Sequence, residues 1–525
     1  MERIGRIVMS IARKIVSGFI GGMTLTAVAL VASFIQFSLL LRYLPLEMVG
    51  IWMVFTTMGA YVMFFDLGMS PTLSREISFA AGDLDLDEVT RANRIGTLIR
   101  SCTTIVVILA VVVLLVGVTG GWSYLSTVVP RSLAVEIRPA WIIFTAGAAL
   151  NLVGEGWFAG LYGLGQVFSE KIIRSLGAVL GLLFMSIAIF CHSFRGLAIA
   201  YLFQAACTIS IARYILFRAG PRVIARGHFE FSTIRMVIGP SLKYAATLLG
   251  GILILQTDNL VIASILGPNL IPNYQAIAKL VSVMMQLSMM LVMTSLPLAS
   301  QAYARKDIPQ FLRLLNRNLR YSLSVMVILG SFVACFADRI ILVWLGPNHF
   351  VGFGVVWVLL VVMLLETHHQ SLAAAVMATG KIVFVVPALI AGTLNIIFSV
   401  LLARRYGVIG VVIGTMLAQV TTNNWYAPWY ALRHFKIKFG KHIRTILWPV
   451  LGLLITLVIA DIGIRLLTTN IPVILSVFAG TLCTGIVGLS LFGMIVLTPE
   501  ERHRFIGALR IRRSDKAIIT PDVQL

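Results

Sequence analysis

QTDNLVIASILGPNLIPNYQAIAKL, residues 256–280, decides how this chain is read. Two apolar segments flank the Gly267-Pro268-Asn269 turn, so the stretch reads as a helical hairpin, with Asp258 inside the first arm and Lys279 inside the second. An ionisable side chain at the centre of a bilayer costs about 2.5–3.5 kcal/mol on insertion scales, so each is expected to face protein or a water-filled cavity. At ~1.5 Å rise per residue both lie ~12 Å below the outer surface, level with one another, and the spacing permits an ion pair.

The rest of the chain supports a membrane setting for that hairpin. Of 525 residues, 59% are hydrophobic and 12% charged, against about 25% charged in a soluble globular protein. Apolar runs long enough to cross a ~30 Å hydrocarbon core recur from end to end. The expectation is an all-α polytopic membrane protein with about 14 transmembrane helices. They fall near 17–41, 49–70, 96–118, 139–161, 172–191, 195–217, 242–266, 273–299, 321–345, 353–378, 383–403, 408–431, 446–466 and 472–497. An even number of spans puts both termini on one side. Most of the 42 Lys+Arg fall in the N-terminal tail, the even-numbered loops and the C-terminal tail, so the positive-inside rule makes both termini cytoplasmic. The net charge of +21 is then a topology signal and an attraction for anionic membrane lipids. A nucleic-acid partner is not expected, because the charges are scattered over short segments instead of gathered on one face.

Several function classes are excluded or weakened. The five cysteines, at 102, 191, 207, 335 and 483, lack metal-ligand spacing and make no disulfide framework. No metal site and no cofactor are expected. Within this chain no G-x-x-x-x-G-K-[ST] loop supports ATP-driven export, and the longest outer loop, near 119–138, is small for a polymerase or ligase. The Asp83-Leu84-Asp85 run resembles a glycosyltransferase D-x-D, but reads better as the start of an amphipathic helix whose first-turn acids complement the helix dipole. Ala27-Val28-Ala29 fits a signal-peptidase site, yet the apolar run continues to Leu41, too long for a cleavable signal. Arg3, Arg6, Arg13 and Lys14 suit an entry helix on the inner leaflet.

An internal repeat organises the spans. YLPLEMVGIW (43–52) matches ILGPNLIPNY (265–274), LSREISFAAGD (73–83) matches LASQAYARKD (298–307), FAGLYGLGQ (158–166) matches AAAVMATGK (373–381), and RGLAIAYLFQ (195–204) matches YGVIGVVIGT (406–415). The four pairs run in one order at similar offsets. Two six-helix lobes follow, 1–217 and 242–431, joined by a basic cytoplasmic linker at 218–241. Two extra spans occupy 432–497 and a basic cytoplasmic tail 498–525. Parallel repeats imply a pseudo-twofold axis along the membrane normal and a substrate path between lobes.

LLLRYLPLEMVGIW, then FFDLGMSPTLSRE, then the Asp258 hairpin and Pro297 together resemble the polysaccharide-transporter family. These are the Wzx-type O-antigen and exopolysaccharide flippases of the multidrug/oligosaccharidyl-lipid/polysaccharide exporter superfamily. The resemblance covers roughly the first 430 residues. It implies an alternating-access transporter, not an enzyme, in the bacterial inner membrane. Its substrate would be an undecaprenyl-diphosphate-linked oligosaccharide, and a polymerase and a chain-length regulator would be its partners. The related lipid II flippase also carries two added spans, which on that analogy help to accommodate the lipid tail.

The intramembrane ionisable residues are the site candidates. Lys279 reads as the basic residue well inside a span, suited to a diphosphate; Asp258, Glu155 and Arg42 join it along the cavity. Glu155, between Gly154 and Gly156, reads either as a cavity acid or as a carboxyl packed in a kink. Glu366 and His368, one turn of Glu-x-His, are coupling-ion candidates with Asp258, because imidazole titrates near neutral pH. Asp461 receives no role. The lobes thus offer three acids to one base, a balance that suits a cationic drug better than a diphosphate and keeps a cation-coupled multidrug antiporter as the competing reading.

Overall fold

The computed structural model describes residues 27–83, 85–219, 227–381 and 383–502. Its described residues form helices joined by short turns, with no strand among them. Among the described residues twelve helices are long and apolar enough to span a membrane, from Leu46–Asp66 to Val473–Val496. The apolar helix Ala27–Tyr43 covers the described part of the first expected span. The chain is a multi-pass membrane protein. The proposed entry helix and the end of the C-terminal tail lie outside the described residues.

Two expected spans are broken. The seventh divides into Phe231–Leu255 and Thr257–Ile265, with Gln256 at φ −112°, ψ −12° between them. The twelfth divides into Val408–Thr421 and Asn423–His434 around Thr422 at φ −128°, ψ −89°. Both breaks fall in short polar runs, Gln256-Thr257-Asp258-Asn259 and Thr421-Thr422-Asn423-Asn424, inside otherwise apolar segments, and such residues offer the backbone local hydrogen bonds that compete with the helix. The linker expected at 218–241 is shorter than its boundaries, since a helix begins at Phe231. The amphipathic helix expected near residue 83 begins at Glu88 and continues without interruption to Val116, capped by Asp87, whose carboxylate accepts from the Val89 and Thr90 amides.

The chain forms two compact units. One holds the described residues up to Gln275 together with Val385–Ala418; the other holds Ala276–Phe384 and the residues from Gln419 onward. This partition differs from the lobes read from the repeat, because Phe231–Ile265 packs with the earlier helices and Val385–Ala418 packs on Phe231–Ile265. Ile234 and Val237 join a buried cluster with Leu73, Ile77, Ile95 and Leu98. Ser101 Oγ accepts from the Glu230 amide at 2.9 Å, and Arg100 donates to the Gly227 carbonyl at 3.0 Å.

In the first unit a buried aromatic cluster binds the Leu46–Val62, Ala134–Gly163 and Phe194–Ala219 helices. Phe144 stacks on Tyr201 at 4.6 Å, and Trp52 and Phe55 meet its edges. The paired turns of the repeat also touch there: a Cβ on Gly50 would lie 1.8 Å from the Pro268 carbonyl oxygen, so only glycine admits that approach. In the second unit Phe311, Leu315, Leu319, Leu323 and Val327 pack against Ile446, Leu453 and Leu457. The two added helices, Phe439–Leu467 and Val473–Val496, are thereby anchored on Ile308–Leu345.

Candidate functional site

The Ala134–Gly163 helix passes through Gly154-Glu155-Gly156 without interruption. The glycines admit neighbours: a Cβ on Gly154 would lie 2.6 Å from Ile209 Cγ1, and one on Gly156 would lie 3.1 Å from Thr103 Oγ1. Glu155 itself meets Arg174 of the Val167–Phe190 helix in a two-pronged ion pair, Nη1 to Oε1 at 2.9 Å and Nη2 to Oε2 at 2.8 Å. Arg174 Nε donates one turn back to Glu170, and the guanidinium lies 4.1 Å from the Phe158 ring centroid. Glu170 is buried, and Lys171 reaches its second oxygen at 3.3 Å.

Asp66, Ser70, Glu155, Tyr162, Glu170 and Arg174 line one cavity of about 540 Å³, within the range of small-ligand sites. Asp66 is held by Ser70, which donates from its amide at 3.0 Å and from its hydroxyl at 2.8 Å. Leu67 and Gly68, both at positive φ, turn the chain there from the second span into the Met69–Gly82 helix. Three carboxylates and a guanidinium thus share one chamber.

Asp258 occupies a different setting from the mid-helix position expected of it. Because the seventh span breaks at Gln256, Asp258 falls in the first turn of Thr257–Ile265, where exposed backbone N–H groups favour negative charge. Tyr274 Oη donates to its Oδ2 at 2.6 Å and Thr415 Oγ1 to its Oδ1 at 3.1 Å. Beside it Asn259 donates to Thr57 at 2.8 Å and accepts from Gln275 at 2.6 Å, and Thr257 meets Tyr61 at 2.8 Å. This is a hydrogen-bonded polar core whose residues come from four helices. Lys279 stands partly buried on Ile271–Ala304 in the other unit. Arg42 is exposed at the end of Ala27–Tyr43.

In the second unit Glu366 is buried, with His369 Nδ1 at 3.2 Å and Gln370 donating at 2.7 Å. Glu366 and His368 take different partners, because residues two apart on a helix point to different faces, whereas i and i+3 share one. His368 instead meets His442 across helices, Nε2 to Nε2 at 3.0 Å, so one ring donates and the other accepts. Asp461 is fully buried and accepts from Thr484.

The sequence reading missed the arginines. The expected span bounds leave Arg174 and Arg465 at span ends and Arg320 just outside one, yet each binds a carboxylate. Arg320 holds Glu501 through both oxygens at 3.0 Å and the Val496 carbonyl at 3.0 Å. Arg465 grips Asp338 at 2.8 and 2.7 Å. Glu170-x-x-x-Arg174 was a legible signal, since an acid four residues before a base on a helix is a pairing pattern.

Comparison with solved structures places this architecture. An inward-facing multidrug resistance MATE family transporter of the MOP superfamily aligns with a TM-score of 0.66 at 14% identity, over 78% of this chain and 96% of its own. The lipid II flippase MurJ, in an inward closed conformation, also reaches 0.66, at 12% identity, over 91% of this chain and 99% of its own. A MATE structure in complex with MaD3S follows at 0.58 and 13% identity, covering 81% and 97%. At such identities the likeness is one of fold. No curated protein matches the sequence significantly. The sequence profile for "Polysaccharide biosynthesis protein" matches residues 15–303, more than half of the chain and the whole stretch that carries Glu155, Arg174, Asp258 and Lys279, and the chain therefore belongs to the polysaccharide biosynthesis protein family.

Proposed function

We propose that the protein is an alternating-access flippase that moves an undecaprenyl-diphosphate-linked oligosaccharide repeat unit across the bacterial inner membrane, both termini cytoplasmic, for O-antigen or exopolysaccharide synthesis. The observation that carries the reading is the family match over residues 15–303 on a fold also seen in a MATE transporter and in the lipid II flippase. In this reading Lys279 and Arg42 supply cationic contacts to the diphosphate, and Asp258 and Glu155 line the path. Glu366, His368 and Asp258 remain the coupling-ion candidates, with Glu366 working beside His369, because that is the imidazole at its carboxylate. A polymerase and a chain-length regulator would take the product onward. Depleting the protein should accumulate lipid-linked repeat units on the cytoplasmic leaflet, and Lys279→Ala should abolish polymer export at unchanged protein level. Normal export from Lys279→Ala would remove Lys279 from the site.

One observation favours a second reading, a cation-coupled multidrug antiporter. Asp66, Glu155 and Glu170 outnumber Arg174 along the first unit's cavity. Unchanged lipid-linked pools together with altered dye resistance on depletion would reverse the ranking.

A further inference from the structure

The Glu155–Arg174–Glu170 group is unusual in its form. Arg174 presents its guanidinium edge to a carboxylate in the same two-pronged geometry with which arginine grips a phosphate, and it does so on the wall of a cavity of about 540 Å³. The two carboxylates differ in tether. Glu170 is buried, on Arg174's own helix and also touched by Lys171, whereas the Glu155 side chain is 20% exposed and comes from a neighbouring helix. Ser70 and Ser74 bring hydroxyls to the same wall. On the positive-inside topology these residues sit at the cytoplasmic ends of the second, fourth and fifth spans, the leaflet in which a lipid diphosphate is made.

We propose that Arg174 is a loading contact for the substrate's diphosphate and that Glu155 is its resident substitute, the carboxylate that keeps the guanidinium compensated in the empty protein and that phosphate oxygens displace. The proposal rests on the flippase reading and deepens it. A guanidinium left unpaired in a partly desolvated wall is destabilising; a displaceable carboxylate avoids that cost while leaving the cation available. Glu170 and Phe158 hold the guanidinium in place during the exchange, Glu170 through Nε and Phe158 through its ring face.

The proposal gives the two halves of one ion pair opposite effects, which a purely structural pair does not. Full-length protein in lipid nanodiscs would be titrated with undecaprenyl diphosphate, without and with the variants Arg174→Gln, Glu155→Gln and both together, and each variant's melting temperature recorded. Arg174→Gln should weaken binding about tenfold or more, the value of a charge-assisted hydrogen bond. Glu155→Gln should tighten it several-fold, because the competitor has lost its charge, and the double variant should bind as weakly as Arg174→Gln. Binding that falls in both single variants, or changes in neither, overturns the assignment while leaving the flippase reading intact. Should Arg174→Gln fail to fold, the sign of the Glu155→Gln effect decides alone. If the wild-type protein itself binds no undecaprenyl diphosphate, the flippase reading falls and the loading contact falls with it.

Discussion

Replacing Gly50 by alanine tests the packing of the two repeated turns. Gly50 lies inside the Leu46–Val62 helix, and an added Cβ would stand 1.8 Å from the Pro268 carbonyl oxygen and 2.5 Å from its carbon. Real Cβ contacts essentially never fall below 3.0 Å, so the Gly267–Leu270 turn must move by more than an ångström. The obstacle is backbone, and no rotamer change relieves it. Overpacking of this kind costs about 1–3 kcal/mol, while alanine in a helix interior returns at most about 1 kcal/mol over glycine. The net expectation is a loss of about 1–2 kcal/mol. Gly251, in the interior of Phe231–Leu255, has nothing within 4 Å of its virtual Cβ, so Gly251→Ala should gain up to about 1 kcal/mol by the same propensity. Melting of the purified variants in one detergent, followed by size-exclusion chromatography, reads both. Gly50→Ala melting with Gly251→Ala, at or above wild type, would refute the close approach and the argument built on it.

Other outcomes follow from single contacts. Asp258→Asn keeps the shape but presents an NH₂ to one of two donors, Tyr274 and Thr415, so about 1–3 kcal/mol of stability should be lost in thermal melting; Tyr274→Phe should cost less. Arg320→Ala should free the end of the last span from Val496 onward, since the guanidinium joins Val496 and Glu501 to the Ile308–Leu345 helix. Faster proteolysis near residue 500 is the readout. Hydrogen bonds from Thr90 and Val89 hold the Asp87 carboxyl below its ordinary range. A depressed folded pKa gives stability that is present above the unfolded value and lost as pH falls through the folded one. Protection factors at residues 88–92, corrected for intrinsic exchange at each pH, should therefore fall below about pH 4, and in Asp87→Ala should be low at every pH.

Hydropathy and charge made most of the fold legible. Length and apolarity of a span are one-dimensional quantities, which is why the Ala134–Gly163 and Phe353–Met377 helices fall within a few residues of their expected bounds. The breaks at Gln256 and Thr422 sit in four-residue polar runs, 256–259 and 421–424, which hydropathy averaged over the length of a span smooths away. The first break changes the meaning of Asp258, from a charge stranded mid-helix to one at a helix N-terminus inside a hydrogen-bonded core.

The sequence by itself determined a multi-pass helical membrane protein, its polysaccharide biosynthesis protein family, and a short set of acids inside apolar runs. Glu155, Asp258 and Glu366 were all singled out, because a charge inside an apolar run is conspicuous in one dimension. Tertiary structure alone decided the partners of two of them, Arg174 for Glu155 and Tyr274 and Thr415 for Asp258, whereas His369 for Glu366 is an i,i+3 pair that helix periodicity already contains. An ion pair depends on which helix faces which. Arginine's long stem lets its head meet a carboxylate well away from its own backbone position, so a base at a span's edge carries no mark in the sequence of an acid it will hold on another helix.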